Sequence, residues 1–209
     1  MLFRSIAFLR YMLSDGAGAA VIESTPATEG ISLRIDWISL TSYANTEQAC
    51  MYLGSNDNAA SKAWGDYPTV AAAAADGAMA LRQKLSLLPY LVRVGIDEYE
   101  RLRAMGKFDP RKVTWFPAHY SSERMKTLLI GECSRRNIDM GRPEMWYSNL
   151  TKVGNIGSAA IFVILDEMMT EGLINEGDTL LCMVPESGRF AVSYMHLTAV
   201  SAATESESP

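Results

Sequence analysis

Two polar residues, each placed where a helix is predicted to begin, carry the clearest chemical signal in the sequence. His119 lies in residues 113–122, which are predicted to end a strand and open a helix, and Asn155 lies in a glycine-rich turn before a second helix. A neutral imidazole and a side-chain amide can both donate hydrogen bonds to one oxygen atom, so the pair could stabilise an enolate or an oxyanion. A simpler explanation is also open: Asn is a good helix N-cap, and a single His need not be catalytic.

The other candidates for chemistry are weaker. The second histidine, His196, lies inside an apolar strand, which favours a structural role. A cysteine beside His119 and Asn155 would suggest acyl transfer, yet Cys133 lies on a helix face and Cys182 inside a strand. Cys50, in a long loop, is the remaining nucleophile candidate. No helix N-terminus that would lower its pKa is predicted there, so a papain-like hydrolase is disfavoured and a thioester hydrolase using Cys50 stays open.

Composition excludes several classes of protein. The 209 residues are 48% hydrophobic and 21% charged, an ordinary globular balance for one domain of substantial size. A net charge of −5 disfavours a nucleic-acid surface. No apolar run approaches the roughly 20 residues that span a bilayer, and the first ten residues lack the features of a signal peptide. The three cysteines have no metal-binding spacing, so we expect no metal site, and a reducing cytoplasm is the expected location.

Hydrophobic periodicity predicts a mixed α/β domain in which helices pack on a sheet. Strand 31–42 should have one buried face formed by Ile31, Leu33, Ile35 and Trp37, and the long loop after it should be functional or cover a site. The predicted helices are 2–13, 69–85 with Pro89 breaking or kinking its end, 96–105, 121–137 and 157–172. The predicted strands are 15–22, built of very small side chains, then 31–42, 113–116, 144–148, 178–184 and 190–200.

An ordered set of motifs supports a more specific prediction. The motifs are Ser14-Asp-Gly-Ala-Gly-Ala-Ala-Val21, Pro117-Ala-His-Tyr120, Gly154-Asn-Ile-Gly-Ser-Ala-Ala160, Leu165-Asp-Glu167, Glu176-Gly-Asp-Thr-Leu-Leu181 and Glu186-Ser-Gly188. Together they resemble the C-terminal half of β-ketoacyl-acyl-carrier-protein synthase III, in the thiolase superfamily, over nearly the whole chain. Three further segments resemble a subgroup of synthase III-like enzymes that builds dialkylresorcinol and cyclohexanedione precursors: Ile31-Ser-Leu-Arg-Ile-Asp-Trp37, Ser42-Tyr-Ala-Asn45 and Pro185-Glu-Ser-Gly-Arg-Phe190.

The resemblance implies a thiolase-like layered fold and a reaction that forms a carbon–carbon bond. A nucleophilic cysteine would take an acyl group from a thioester. His119 and Asn155 would then stabilise the enolate formed from a malonyl or β-ketoacyl thioester. The backbone N–H of Gly188 would help to form the oxyanion hole. The substrates would be carried on the phosphopantetheine of acyl carrier protein or on coenzyme A, and no separate cofactor is implied.

The sequence also departs from the family pattern. Ala118 stands where the family has Pro, and Ile156 stands where it has Thr. The N-terminal half of the family, which carries the nucleophilic cysteine, is missing, and none of the three cysteines matches that position. The resemblance divides the chain into the end of the N-terminal half (1–24), a connecting strand, long loop and helical insertion (25–112), the C-terminal domain (113–200) and a disordered tail (201–209).

Two hypotheses from different classes follow. In the first, the chain is the C-terminal portion of a condensing enzyme, inactive alone, that needs a partner half or subunit bearing the cysteine. In the second, it is a non-catalytic thiolase-fold subunit or remnant that pairs with a complete synthase. Both predict a homodimer or heterodimer, because the missing half would otherwise leave an apolar face of the sheet exposed. Basic residues within 81–112 are candidates to meet an acidic carrier protein, although a solvated helix face is the favoured explanation for any one of them.

Overall fold

A mixed β-sheet covered by helices forms the centre of the computed structural model, which describes residues 9–54 and 62–202. The strands are β1 (Ser32–Ser42), β2 (Met51–Leu53), β3 (Leu81–Gln83), β4 (Phe116–Pro117), β5 (Trp146–Tyr147), β6 (Thr179–Glu186) and β7 (Ala191–Val200). The α-helices are α1 (Val70–Ala75), α2 (Leu88–Ala104), α3 (Glu123–Arg136), α4 (Leu150–Val153) and α5 (Ala160–Thr170). Short 3₁₀ turns lie at Trp64–Asp66, Leu85–Leu87, Pro143–Met145 and Gly157–Ala159. Residues 9–12 are also helical.

The main strands follow one another in the order β1-β7-β6-β4-β5. β7 pairs antiparallel with both β1 and β6, and β4 pairs parallel with β5. Two parallel bridges, Trp115 to Leu180 and Ala118 to Met183, connect the β4 segment to β6. Every strand of this series except β7 therefore runs in the same direction. β2 and β3 form a separate antiparallel pair.

Both faces of the sheet carry a hydrophobic core. On one face, α2 and α3 pack with Leu181 and Met183 of β6, and on the other, α5 packs with Leu180 and Cys182 of the same strand. Successive side chains along a strand point to opposite faces of the sheet. The continuous apolar run of β6 is therefore buried on both faces. The predicted mixed α/β architecture, with helices packed on a sheet, is confirmed.

Strand β1 contains a bulge that the sequence pattern did not predict. The pairing register with β7 shifts between Ile35 and Trp37, so Asp36 is the extra residue. Leu33 packs against the α5 side of the sheet, whereas Trp37 packs against the α2 side. The prediction that Ile31, Leu33, Ile35 and Trp37 share one face is therefore wrong at Trp37, because one inserted residue reverses the facing of every later side chain.

The bulge explains the place of His196. Its Nδ1 atom lies 2.8 Å from Oδ2 of Asp36, and its ring stacks on Trp37 with centroids 5.7 Å apart. The hydroxyl of Thr198 donates to the same carboxylate at 2.6 Å. Burial alone would raise the pKa of Asp36, but the hydrogen bonds from Thr198, Arg34 and His196 outweigh it and lower that pKa. This arrangement fits the structural role expected for His196.

The predicted strand 15–22 is absent. These residues are irregular, and none of them pairs with a strand in the described part of the chain. Their small side chains instead allow another part of the chain to pack closely against them. A Cβ atom added to Gly16 would lie 2.7 Å from Cβ of Ile156, and one added to Gly18 would lie 2.5 Å from Cβ of Phe162. The small side chains therefore let the start of α5 approach this segment closely.

The region predicted as one helix, 69–85, divides into a short helix and a strand. The hydroxyl of Thr69 accepts the N–H of Ala72 at 3.1 Å and begins α1, but Gly77, with φ of +72°, turns the chain away. β3 then pairs with β2. The alanine run favours helix so strongly that the predicted helix extends past the true helix end at Ala75. Pro89 does not break a helix: it lies in the first turn of α2, where no intrahelical N–H is needed. α2 therefore begins well before residue 96.

The C-terminal part of the chain agrees with prediction more closely. α3, β5, α5 and the β6–β7 hairpin all lie within a few residues of the predicted ranges. Asn137 adopts a left-handed conformation at the end of α3, and Gly172 does so after α5. β1 lies in the segment 25–112, which the sequence analysis described as connecting. Its pairing with β7 places it in the same sheet as the C-terminal domain. Residues 2–8 of the predicted helix 2–13, and most of the predicted tail, lie outside the described residues.

Candidate active site

His119 is held at the carboxyl end of two parallel strands. It directly follows the β4 segment, where the N–H of Ala118 donates to the carbonyl of Tyr147 in β5 at 3.1 Å. The N–H of His119 itself donates to the carbonyl of Met183 in β6 at 3.0 Å. The backbone is therefore fixed from both sides, at the edge of a sheet where ligand sites of layered α/β folds collect.

Asn155 is held by the turn that leads into α5. Its Oδ1 atom accepts the N–H of Gly157 at 3.1 Å, and its carbonyl accepts the N–H of Ser14 at 2.8 Å. The preceding Gly154 has φ of +75°, and a Cβ atom there would lie 2.1 Å from Oγ of Ser14. Asn155 thus closes a local turn with Gly157, but it is not a helix N-cap, because Ile156 and Ala159 hold that position for the 3₁₀ turn and for α5. Its Oδ1 is committed there, and its Nδ2 donor has no partner within the described residues.

His119 and Asn155 line the same cavity of 240 Å³. The two side chains are 8% and 5% exposed, so both are removed from bulk water. Most of the lining is apolar, and its aliphatic and thioether side chains come from five parts of the fold. The aliphatic and thioether lining residues are Met12, Leu13, Met51, Leu88, Leu91, Val92, Met125, Leu129, Met183 and Val184. The structure therefore brings together the two residues that the sequence singled out.

Burial determines the charge state of His119. It lowers the pKa of the imidazole from 6.5 to about 4, because a cation would lose its hydration in the cavity. No described residue hydrogen-bonds to the ring. At neutral pH the side chain is therefore an uncharged imidazole with one N–H donor, which suits an oxygen that becomes negative during a reaction.

None of the three cysteines lines this cavity. All are buried, and burial raises the pKa of Cys50 and of Cys133 to about 11 and that of Cys182 still further. The Sγ atom of Cys50 lies 3.5 Å from the carbonyl oxygen of Lys84. Because the thiolate is the reactive form, these surroundings argue against nucleophilic chemistry at any of the three.

Gly188, the predicted oxyanion-hole donor, lies in the turn between β6 and β7. Its N–H donates to Oε1 of Glu186, and the N–H of Arg189 donates to Oε2 of the same carboxylate at 2.9 Å. Glu186 and Ser187 line the cavity, whereas Gly188 does not. The oxyanion role of Gly188 stays a prediction, and in this conformation it requires the Glu186 carboxylate to move aside.

Three further polar residues of the cavity were missed by the sequence reasoning. Gln83 and Tyr120 line it and are buried, and among the described residues neither Oε1 of Gln83 nor the hydroxyl of Tyr120 has a hydrogen-bond partner. Ser187 receives a hydrogen bond from Nε2 of Gln83 at 3.3 Å. No sequence signal marked Gln83, because it lies in a strand of three residues within a region predicted as helix.

Several of the basic residues within 81–112 are already engaged. Arg101 pairs with the buried Glu98 at 2.6 Å, and Arg111 pairs with Asp109 at 2.8 Å. Arg82 is buried. In residues 9–54 and 62–202, no group of three or more His, Cys, Asp or Glu side chains could hold a metal ion. Nor does any helix of that part have the length and apolar character needed to cross a membrane.

Comparison with known proteins relates this geometry to one family. No family model matches the chain. β-Ketoacyl-[acyl-carrier-protein] synthase III of Trichodesmium erythraeum is 31% identical over 91 residues, which are 44% of this chain and 26% of that protein. The enzyme of the same name from Prochlorococcus marinus is 27% identical over 177 residues, 81% of this chain and 46% of that protein. The crystal structure of 3-oxoacyl-[acyl-carrier-protein] synthase III from Aquifex aeolicus superposes with a TM-score of 0.56 at 19% identity, over 78% of this chain and 44% of that one.

The chain resembles β-ketoacyl-[acyl-carrier-protein] synthase III in sequence and shares its fold. This confirms the fold and the family resemblance predicted from the ordered motifs. The synthase III-like chain spans less than half the length of the curated relatives that it matches. Because the match to the Prochlorococcus marinus enzyme covers 81% of this chain, it includes the segments that carry His119 and Asn155. What those residues do in this chain is a separate question.

Proposed function

We propose that this chain supplies half of the active site of a synthase III-like condensing enzyme. In this proposal His119 and Asn155 act on the enolate of a malonyl or β-ketoacyl thioester, and a cysteine from another chain or segment carries the acyl group. The observation that supports it is that these two residues, far apart in sequence, line one largely apolar cavity that contains no cysteine. The substrates would be thioesters of acyl carrier protein or coenzyme A.

The chemistry follows from the two side chains. When the thioester substrate loses its carboxylate or a proton, negative charge develops on the thioester oxygen. The N–H of neutral His119 and the Nδ2 of Asn155 would donate to that oxygen in a site with little water. The Oδ1 of Asn155 is held by the N–H of Gly157, which fixes the amide with its donor available. The enolate carbon would then attack the acyl-cysteine carbonyl, forming the new bond and releasing the cysteine thiolate.

An apolar groove beside α5 supports the need for a partner. It has a volume of 960 Å³ and is lined by residues 19–27, by β1 and by α5. On this side of the sheet, Ile38 and Leu40 of β1 are 59% and 71% exposed, although strands usually bury such residues. We infer that the cysteine-bearing half packs here, because the chain spans less than half of its relatives and this face of its sheet is incompletely covered.

Two experiments test the proposal. The chain is mixed with a cysteine-bearing synthase half, and condensation of an acyl thioester with a malonyl thioester is followed. His119→Ala is expected to reduce the rate by about 100-fold or more, because a donor to a developing oxyanion is lost. His196→Ala, outside the cavity, is the matched control and should retain activity. An unchanged rate for His119→Ala would contradict the proposal.

The partner surface is tested by sedimentation. The chain alone should self-associate through the apolar groove, and replacing Ile38 and Leu40 together by Ser should weaken both self-association and binding of the cysteine-bearing half. Replacing Val70 and Ile130 together by Ser, at exposed apolar positions outside the groove, is the control. A wild-type chain that sediments as a well-behaved monomer would argue against this surface.

One observation favours the second candidate, a non-catalytic subunit that packs against a complete synthase. The N–H of Gly188, which the condensing reaction would use, is bound to the carboxylate of Glu186. If the chain has only a structural role, His119→Ala in the assembled complex leaves condensation unchanged while loss of the whole chain reduces it. That combination of results separates the two candidates.

A further inference from the structure

One polar side chain in the cavity has a hydrogen-bonding group that the fold leaves unused. Gln83, in β3, is 5% exposed, and its Oε1 atom is buried without a hydrogen-bond partner in residues 9–54 and 62–202. Buried polar groups of native proteins are nearly always paired, so an unpaired carbonyl that lines a cavity indicates a ligand. The role proposed for His119 and Asn155 does not use this residue.

The amide of Gln83 is held in place from its other end. Its Nε2 atom donates to the hydroxyl of Ser187 at 3.3 Å, and Ser187 also lines the cavity. Antiparallel pairing of Gln83 with Met51 fixes the backbone. The side chain is therefore positioned before any ligand binds, which reduces the entropy cost of recognition.

The surrounding wall restricts what the ligand can be. Met51 and Leu88 line the same cavity as Gln83, and the chain around it contributes mainly aliphatic and thioether groups. Such a wall suits an acyl chain. An unsubstituted acyl chain would cover Oε1 and leave it unpaired, which weakens binding, whereas a ligand with a hydrogen-bond donor at this point would satisfy it.

We propose that Gln83 is a specificity-determining residue that accepts a hydrogen bond from a donor on the bound thioester, namely a hydroxyl of the acyl chain. This inference rests on the proposed function, because it takes the cavity as an acyl-thioester site. A hydroxyl suits the amide group in either orientation, because it both donates and accepts. The same chemistry could come from an amide N–H of the pantetheine arm, and the experiment distinguishes the two sources.

The test uses the full chain and measures binding by calorimetry. The ligands are octanoyl-pantetheine, its analogues hydroxylated at carbon 3 or carbon 5, and S-ethyl octanethioate, which has no amide. At least one hydroxylated thioester is expected to bind about tenfold more tightly than octanoyl-pantetheine, as one recovered hydrogen bond would give. Gln83→Met, of similar length and apolar, should abolish that preference.

The control variant is Gln48→Met, the same replacement at an exposed residue whose Oε1 accepts from Lys84 at 2.8 Å, outside the cavity. It should retain the preference. Thermal melts of both variants check that they fold. A loss of protein stability would weaken the binding of every ligand by the same factor, so the ratio of two ligand affinities would not change.

Each result has one meaning. If Gln83→Met weakens the binding of every pantetheine thioester equally and spares S-ethyl octanethioate, the donor to Gln83 is an amide N–H of the pantetheine arm. The proposed hydroxyl of the acyl chain is then wrong. If the variant changes no affinity ratio, Gln83 is structural and the inference is overturned, while the proposed function stands. If the wild-type chain binds no thioester, the inference is overturned, and condensation beside a cysteine-bearing half decides the proposed function separately. Binding with the expected preference but no condensation beside a cysteine-bearing half overturns the proposed function alone.

Discussion

Protonation of His119 should measurably destabilise the fold. Burial lowers its pKa from 6.5 to about 4, so the folded state resists a proton that the unfolded chain accepts. As pH falls below 6.5, the unfolded state binds the proton first and is stabilised. The stability that His119 contributes is therefore complete above pH 6.5 and is lost progressively until the pH reaches the folded pKa near 4.

The magnitude follows from the size of the shift. One pKa unit corresponds to about 1.4 kcal/mol, and the shift here is roughly 2.5 units, so the full effect is about 3 kcal/mol. Between pH 7 and pH 5, linkage gives a loss of about 2 kcal/mol from this residue alone. The interval is useful because most carboxylates remain ionised in the unfolded chain at pH 5.

The assay is urea denaturation of the wild-type chain and of His119→Gln at both pH values. Gln keeps a donor of similar size but cannot titrate, and every carboxylate and His196 is common to the two proteins. The wild-type free energy of unfolding should fall by about 2 kcal/mol more than that of the variant. Equal losses in the two proteins, or a ring signal of His119 that titrates near 6.5 by nuclear magnetic resonance, would refute the reasoning.

Two further predictions concern the scaffold around the cavity. Gly18→Ala places a Cβ atom 2.5 Å from Phe162, so it should lower the free energy of unfolding by about 1–3 kcal/mol, whereas Gly65→Ala, with no atom within 4 Å of its Cβ, should not. Chemical denaturation of both variants checks this, and equal stability would show that residues 14–18 do not pack on α5. Glu98 is fully buried and accepts hydrogen bonds from Ser39, Thr41 and Arg101, so Glu98→Ala should destabilise the chain by about 2–4 kcal/mol. Glu132→Ala, which removes a surface pair with Arg135, should cost less than about 1 kcal/mol in the same measurement, and a comparable loss in both would contradict the structural role of Glu98.

The parts of the fold that were predictable are those with strong local periodicity. The apolar positions of α5 recur at helical spacing, and the β6–β7 hairpin alternates about a tight turn, so their types and approximate bounds were set by local sequence. His119 and Asn155 were found for the same reason, because each lies beside a helix or strand that the sequence predicts clearly. Their meeting in one cavity was implied by the family resemblance and is visible only in three dimensions.

The errors arose where tertiary contacts override local preference. The alanine run of α1 favours helix, yet Gly77 and the pairing of β3 with β2 end it after six residues. Residues 15–22 look like a strand, yet no neighbouring strand is available to pair with them in the described part of the chain. The bulge at Asp36 depends on the carboxylate reaching His196 across the sheet, which no pattern along one strand reveals.

The location of the acyl group tests the central claim most directly. The synthase III-like chain, alone and mixed with a cysteine-bearing half, is incubated with an acyl thioester and examined by intact mass spectrometry. We expect an adduct on the partner only, since Cys50, Cys133 and Cys182 are buried with raised pKa values and lie outside the cavity. A stable acyl adduct on this chain alone would contradict it, and its loss in Cys50→Ser would identify the residue responsible.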